Sequence, residues 1–174
     1  MSLLRFRCSV ALLAVLAVAA QQKEYKPKEE KLPGEPVKQP IAYSHKKHVA
    51  MGLQCTNCHT MPGEAFLATY PKESVCMGCH TTVKKESPEI QKLAEYAAKK
   101  QAVPWVRVYQ VPDIVWFNHG VHVKVAKTAC TQCHGEVAQR DVLFQEKSIS
   151  MQTCMACHAE HGAPNGCDVC HASQ

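Results

Sequence analysis

Hydrophobic and polar positions divide the chain into unequal parts, beginning with a short apolar run. The run from Val10 to Ala20 follows the basic residues Arg5 and Arg7 and ends in small side chains. A basic start, an apolar centre and a small-residue cleavage zone are typical of a secretory signal peptide. The run is shorter than the roughly 20 residues that a membrane-spanning helix needs. Residues 1–20 are therefore predicted to be a cleaved signal, which leaves no membrane span in the mature chain.

Residues 21–40 contain almost no apolar side chains to bury. Lysines alternate with glutamates there, and prolines interrupt them at Pro27, Pro33, Pro36 and Pro40. Such a composition predicts a solvated linker rather than a packed element. A docking arm for a partner is the alternative interpretation.

One later segment has clear helical periodicity. Its apolar face consists of Ile90, Leu93, Ala94 and Ala97. Ser87 precedes it as a candidate N-cap, and Pro88 suits the first helical position. Residues 103–112 then contain β-branched side chains and two prolines, which favour an extended backbone. Residues 87–114 are predicted to be a helix followed by an extended connector.

The rest of the chain is dominated by Cys-x-x-Cys-His, which occurs five times. Its cysteines are Cys55, Cys58, Cys76, Cys79, Cys130, Cys133, Cys154, Cys157, Cys167 and Cys170, and its histidines are His59, His80, His134, His158 and His171. This motif is the attachment site of c-type haem. The two thiols bond to the haem vinyl groups, and the adjacent histidine is placed to bind the iron. The motifs predict five covalently attached haems c.

The remaining cysteine supports this interpretation. Of the 11 cysteines, only Cys8 lies outside the motifs, within the predicted signal. No cysteine of the mature chain is then left for a disulfide framework or a thiol nucleophile. Zinc also binds Cys-x-x-Cys pairs, but it does not require a histidine after every pair. Because bacteria attach c-type haem outside the cytoplasm, the chain is predicted to be periplasmic or otherwise extracytoplasmic.

The histidines outside the motifs match the motifs in number. They are His45, His48, His119, His122 and His161. One distal histidine for each iron would give bis-histidine coordination throughout. A lone histidine is more often structural, yet four of these form two His-x-x-His pairs at a repeated position. Methionine is the alternative distal ligand and would raise the redox potential, with Met61 the best placed.

The chain contains an internal repeat. An aromatic residue, a polar residue and His-x-x-His-Val precede a haem motif twice, starting at Tyr43 and at Phe117. Each copy continues into two haem motifs, which indicates a duplicated two-haem module. The modules are predicted at 41–86 and 115–174, and the second includes the fifth motif as an addition.

Composition indicates the fold class. About 30 residues remain for each haem, which is too little protein for a conventional core at this size. The haems themselves are expected to form the core of a mostly irregular fold with short α-helices at the motifs and little β-structure. The formal net charge is +5, but the haem propionates would offset it. No nucleic-acid partner is therefore expected.

His-x-x-His shortly before Cys-x-x-Cys-His, in two copies, resembles the class III cytochromes c, the c3 and c7 group. The resemblance spans roughly Ile41 to Ser173 and implies a haem-packed fold of that type. In that family the first histidine of a pair binds the iron of the haem attached just downstream, and the second binds the next iron. The resemblance implies the pairs His45–His59, His48–His80, His119–His134 and His122–His158, and leaves His161 for His171.

A second likeness includes the connector. The pentahaem subunit of alternative complex III is similar in a segment that reads Val103-Pro104-Trp105-Val106-Arg107-Val108, then Pro112-Asp113, then Phe117-Asn118-His119, and in the third motif with Gly135. That complex is a bacterial membrane quinol oxidase that passes electrons to periplasmic acceptors. The likeness implies other redox proteins or a membrane quinol-oxidising complex as partners.

Electron transfer without catalysis is the function that these features favour. Closely packed haems with both axial positions filled relay electrons and need no small-molecule substrate. A multihaem reductase of the nitrite, hydroxylamine or peroxide type is the alternative, and it needs an iron with an open position. The last haem is the candidate for that iron, if His161 is not its ligand. A filament of stacked protomers is a third alternative, supported only by the density of haems.

Overall fold

The computed structural model describes residues 31–62 and 67–171. The predicted signal, 1–20, and the first half of the predicted linker, 21–30, lie outside the described residues. Within the described residues the α-helices are α1 (His45–Ala50), α2 (Cys55–Cys58), α3 (Glu73–His80), α4 (Pro88–Ala98), α5 (Cys130–His134), α6 (Met151–Glu160) and α7 (Cys167–Cys170). A π-helical segment, Gly120–Val125, and a 3₁₀ turn, Val137–Gln139, complete the helical elements.

The described residues contain no β-strand, only an isolated antiparallel bridge between Val115 and His171. The prediction of short helices with little β-structure is confirmed. None of the helices in 31–62 and 67–171 is long and apolar enough to cross a membrane.

Helix α4 forms where the periodicity predicts it. Ser87 occupies the N-cap position and Pro88 the first helical position, although the Ser87 side chain makes no capping hydrogen bond. Leu93 on the predicted apolar face is buried. The connector that follows is not helical, and the Gln39 side chain hydrogen-bonds both backbone polar groups of Val106, at 2.8 and 2.9 Å.

The buried apolar core of the described residues is very small. It consists of Ile41, Leu93 and Val103, each about one-twentieth exposed. The Glu73 carboxylate fixes the backbone of this core, because it accepts a hydrogen bond from the Val103 amide at 2.9 Å. A core of this size is far below what a domain of this length normally buries, as the composition led us to expect.

Each haem motif lies at a short helix. The two cysteines and the histidine occupy positions i, i+3 and i+4, which lie on one face of an α-helix. In α3, α5 and α6 the whole motif is helical, so both thiols and the imidazole lie on one side. Helices α2 and α7 end at the second cysteine, and His59 and His171 follow them in non-helical conformations.

The two His-x-x-His segments differ in helix type. His45 and His48 lie on the α-helix α1, whereas His122 lies in the π-helical segment that His119 precedes. In the second copy the Ala126 amide bonds the carbonyl five residues earlier, on Val121, at 2.9 Å. That copy also has one more residue than the first between the His pair and the haem motif. A π-turn accommodates one extra residue within a helix, which explains the difference.

Candidate metal centres

Two imidazole pairs lie parallel at nearly the same separation. The ring centroids of His45 and His59 are 6.3 Å apart, with 8° between the ring planes. Those of His119 and His134 are 6.4 Å apart, with 9° between the planes. Each pair joins the first histidine of a His-x-x-His segment to the next haem motif.

This separation fits two axial ligands of one metal ion. An imidazole nitrogen lies about 1.1 Å from its ring centre and about 2.0–2.1 Å from a metal that it binds. Two imidazoles on opposite sides of one ion are then roughly 6.3 Å apart, centre to centre. The pairs therefore leave the space that one iron needs between them.

Two further pairs join the second histidines to the second motif of each module. His48 and His80 are 6.2 Å apart with 64° between the rings. His122 and His158 are 6.0 Å apart with 32° between the rings. The separations again match two axial ligands. The structure thus brings together four of the five pairs that the resemblance implies.

Most of these imidazoles have one nitrogen fixed by a backbone carbonyl. A carbonyl only accepts, so each Nδ1 must carry the proton, and Nε2 is left free to bind a metal. The Nδ1 donors and their acceptors are His48 to Ser44 (2.8 Å), His59 to Thr69 (2.9 Å), His80 to Val83 (2.9 Å), His122 to Asn118 (2.8 Å), His158 to Pro164 (2.7 Å) and His171 to Ile114 (3.0 Å).

An aromatic ring fixes both distal histidines in each module. Tyr43 stacks on His48 at 4.4 Å and meets His45 edge-on at 4.8 Å. Phe117 stacks on His122 at 4.5 Å and meets His119 edge-on at 4.7 Å. The repeated aromatic residue therefore has the same role in both copies.

Burial keeps two of these imidazoles neutral. The pKa of His45 is lowered to about 4, first by burial and then by the neighbouring His59 and His48. The pKa of His134 is also lowered, by burial and then by His119 and His59. A neutral imidazole is the form that binds a metal.

None of the ten motif cysteines forms a disulfide within the described residues. Burial is the main cause that raises the pKa of the Cys76, Cys130, Cys133 and Cys154 thiols. A cysteine pair followed at once by a histidine, with a second histidine 6.0–6.4 Å away in four of the motifs, suits a covalently attached haem with two imidazole ligands.

Comparison with known proteins supports the same chemistry. No family model matches the chain. A curated protein described as the multihaem cytochrome c subunit of menaquinone reductase, from Nitratidesulfovibrio vulgaris, is 30% identical over 160 residues, which cover 76% of each chain. The chain belongs to the multihaem cytochromes c. The prediction of covalently bound haem c is thereby confirmed for this cytochrome at the level of the family.

The fifth motif of the cytochrome differs from the others. His161, at the C-terminal end of α6, makes no ring contact with His171 or with any other described residue. It is also the one exposed histidine, whereas the other nine are half-buried. His171 lies instead at the end of the connector, where its Nδ1 donates to the Ile114 carbonyl and its backbone pairs with the next residue, Val115, in the β-bridge. The structure does not bring this fifth pair together.

Sequence reasoning missed a group that supports the third motif. The Tyr109 hydroxyl donates to the His134 carbonyl at 3.2 Å and accepts from the Glu146 amide at 2.8 Å. The Glu146 carboxylate accepts from Arg140 Nε at 2.8 Å and from the Glu136 amide at 3.1 Å. These contacts join residues up to 37 positions apart, so no local sequence pattern indicates them.

Proposed function

We propose that this cytochrome carries five covalently attached haems c and relays electrons between redox partners outside the cytoplasm. The parallel imidazole pairs carry this proposal, because their separation is that of two axial ligands on one iron. Each haem is held by the two cysteines of its motif and bound at iron by the motif histidine. Haem supplies the one-electron redox chemistry.

Distal imidazoles close the coordination of the irons. His45, His48, His119 and His122 serve the first four haems in order, and His161 is assigned to the fifth by number. An iron with two imidazole ligands offers no open position for a substrate, and it lacks the methionine ligand that raises the potential. The proposed centres are therefore low-potential electron carriers, and the cytochrome itself is not catalytic.

Residues 41–86 and 115–174 are proposed as duplicated two-haem modules of the class III type, joined by 87–114. The matching contacts of Tyr43 and Phe117 support the duplication. Residues 1–20 are proposed as the export signal and 21–40 as a linker.

We propose that the cytochrome works as a subunit of a quinone-linked membrane complex. The relative from Nitratidesulfovibrio vulgaris is described as such a subunit of menaquinone reductase. The likeness of the connector to the pentahaem subunit of alternative complex III points to the same kind of partner. The proposal covers both quinol oxidation and quinone reduction by that complex.

Mass spectrometry of the purified holoprotein tests the number of haems, and electron paramagnetic resonance tests their ligands. We expect five haem masses above that of the mature polypeptide, and low-spin ferric signals. A smaller number of haems, or a high-spin signal from each of the first four haems, would contradict the proposal.

Purification from native membranes in mild detergent tests the partner. We expect recovery of the cytochrome with other redox subunits and with quinone-dependent haem reduction or oxidation. Recovery as a free monomer from the soluble fraction would instead show a diffusing carrier.

A reductase with one open iron is the second candidate function, and the position of His161 favours it. The matched pair for its test is the native protein and His161→Ala, both reduced and exposed to carbon monoxide. If His161 binds the fifth iron, only the variant shows the spectral shift of a carbon monoxide complex. If the fifth iron is open, the native protein shows the shift as well, which would favour the reductase.

A further inference from the structure

The two histidines of the first His-x-x-His segment share one turn of helix. His45 and His48 lie three residues apart on α1, and each faces a different motif histidine, His59 or His80. Three residues of α-helix span only about 4.5 Å along the axis. The sulfur atoms of Cys58 and Cys76 are also close enough to interact electrostatically. The first and second motifs are therefore direct neighbours.

The two modules meet at their first motifs. Cys55 of the first motif is, after burial, the main neighbour that raises the pKa of Cys130 in the third motif. The imidazoles of His59 and His134 are also near enough to interact. This neighbourhood joins residues that lie far apart in the sequence.

Backbone and side-chain contacts hold the modules in this position. Lys46 on α1 donates its amide to the Arg140 carbonyl at 3.0 Å, and the Ser44 hydroxyl donates to Asp141 at 2.6 Å. On the other side, Lys124 Nζ donates to the Met61 carbonyl at 2.7 Å. Contacts on two sides fix the first module against the second.

The fourth and fifth motifs follow the third in space in the same order as in the sequence. The second His-x-x-His segment joins the third and fourth motifs, since His119 lies 6.4 Å from His134 and His122 lies 6.0 Å from His158. The segment just before the fifth motif is bonded to the fourth, where the Pro164 carbonyl accepts from His158 Nδ1 at 2.7 Å and Asn165 donates to the Met155 carbonyl at 3.0 Å. The Trp116 amide donates to the Cys170 carbonyl at 2.7 Å, so the fifth motif lies beside the start of the second module.

We propose that the five haems form one unbranched line in the order second, first, third, fourth, fifth. The modules are joined through the haems of their first motifs, at Cys55 and Cys130, and the second and fifth haems are the ends. The order differs from that of the sequence only in the first module, which runs backwards along the line. The inference rests on the proposed function, because it requires a haem at every motif.

The proposed order has one necessary consequence for electron flow. In this order an electron on the second haem reaches the third through the first. In the order of the sequence, the second haem would instead pass electrons directly to the third. The two orders therefore disagree about which haem lies between the modules.

Redox titration of the native holoprotein, followed by proton NMR of the haem methyl groups, separates the two orders. Mutual shifts in potential are largest between the closest haems, since charge interactions weaken with distance. We expect the first haem to interact most strongly with the second and the third. A stronger interaction between the second and third haems than between the first and third would overturn the proposal.

Photochemical injection of electrons at the second haem provides an independent test. Lys85, whose side chain is 65% exposed, is replaced by cysteine after the second motif and carries a ruthenium photoreductant. His45→Met raises the potential of the first haem and makes it an electron trap. The rate at which electrons arrive at the third haem should fall about tenfold for each ~59 mV by which the potential of the first haem rises.

Val121→Met, at a side chain that is 50% exposed and is not an iron ligand, is the matched control and should leave arrival at the third haem unchanged. Equal rates in the His45→Met protein and its parent would overturn the order. The mass of each variant is measured first, so a missing haem, which contradicts the proposed function, is not confused with a wrong order. If His45→Met does not mature, the titration of the native protein still decides.

Discussion

The hydroxyl of Tyr109 links two segments of the chain through the carbonyl of His134, to which it donates a hydrogen bond of 3.2 Å. The Tyr109 ring also meets the His134 imidazole edge-on at 4.8 Å. The same hydroxyl accepts hydrogen bonds from the amides of Glu146 and Lys147. It therefore holds the backbone of the third haem motif against the segment that precedes α6.

Tyr109→Phe should destabilise the holoprotein, because the variant keeps the ring and removes only the hydroxyl. The change leaves partly buried hydrogen-bonding groups without a partner, and we expect a loss of about 1–3 kcal/mol in the free energy of unfolding. Denaturant titration followed by circular dichroism measures it. Tyr70→Phe, at a residue that is 48% exposed, is the control and should stay within about 0.5 kcal/mol of the native protein. Equal effects of the two variants would contradict the role given to Tyr109.

Gly135→Ala should be more damaging than a typical glycine substitution. Gly135 has φ +69° and ψ −157°, a conformation that is almost restricted to glycine. A Cβ there would also lie 2.7 Å from the Cβ of Glu146. The expected loss is about 2–5 kcal/mol, together with a changed spectrum of the third haem.

Gly162→Ala separates the cost of the backbone conformation from the cost of the close contact with Glu146. Gly162 has a similar φ, +63°, but nothing lies within 4 Å of the position that a Cβ would occupy there. The backbone conformation alone should then cost about 1–2 kcal/mol. If the two alanine variants were equally stable, the contact with Glu146 would have no energetic role.

Glu146→Gln should change how stability depends on pH. The hydrogen bond from Arg140 is the main cause that lowers the pKa of Glu146. A carboxylate with a lowered pKa in the folded state stabilises at pH values above its unfolded pKa, and this contribution is lost as the pH falls through the folded pKa. The native protein should therefore exceed the variant most at neutral pH, and the difference should shrink below pH 4.5, the ordinary value for glutamate.

Denaturant titrations at several pH values between neutral and strongly acidic conditions measure this difference. Glu86→Gln, at a side chain that is 84% exposed, is the control. A gap between the native protein and Glu146→Gln that stays constant down to strongly acidic pH would show that the ion pair with Arg140 does not stabilise the fold.

Leu93→Ala tests the small apolar core beside the second haem motif. Leu93 is 5% exposed and packs with Ile41 and Val103. Truncation of a buried leucine typically costs about 2–5 kcal/mol. Leu53→Ala, at a residue that is 38% exposed, should cost much less, as thermal unfolding of the two holoproteins would show. A small effect at Leu93 would mean that the haems alone carry the stability of this region.

Local chemistry made much of this molecule predictable. The Cys-x-x-Cys-His spacing fixes short helices such as α5 because the two thiols and the imidazole must face one haem. The capping and periodicity around Pro88 and Leu93 fix α4 in the same local way. The histidine pairs came from the resemblance to the class III cytochromes c, because each His-x-x-His precedes a haem motif by only six or seven residues.

Contacts over long sequence separations were not predictable in this way. The carbonyl that orients His171 belongs to Ile114, 57 residues away. The closeness of Cys55 to Cys130 depends on how the two modules pack, and no repeated pattern in the sequence indicates it. The exposed position of His161 is likewise a tertiary result, since the number of histidines alone suggested that it would face His171.

Three buried apolar side chains are too few to hold the described part of this chain in one shape without its haems. We therefore expect folding to depend on haem attachment, with each haem adding both a redox centre and a piece of the interior. A chain that lacks one haem should be cut by proteases faster than the fully loaded cytochrome, which limited proteolysis would measure.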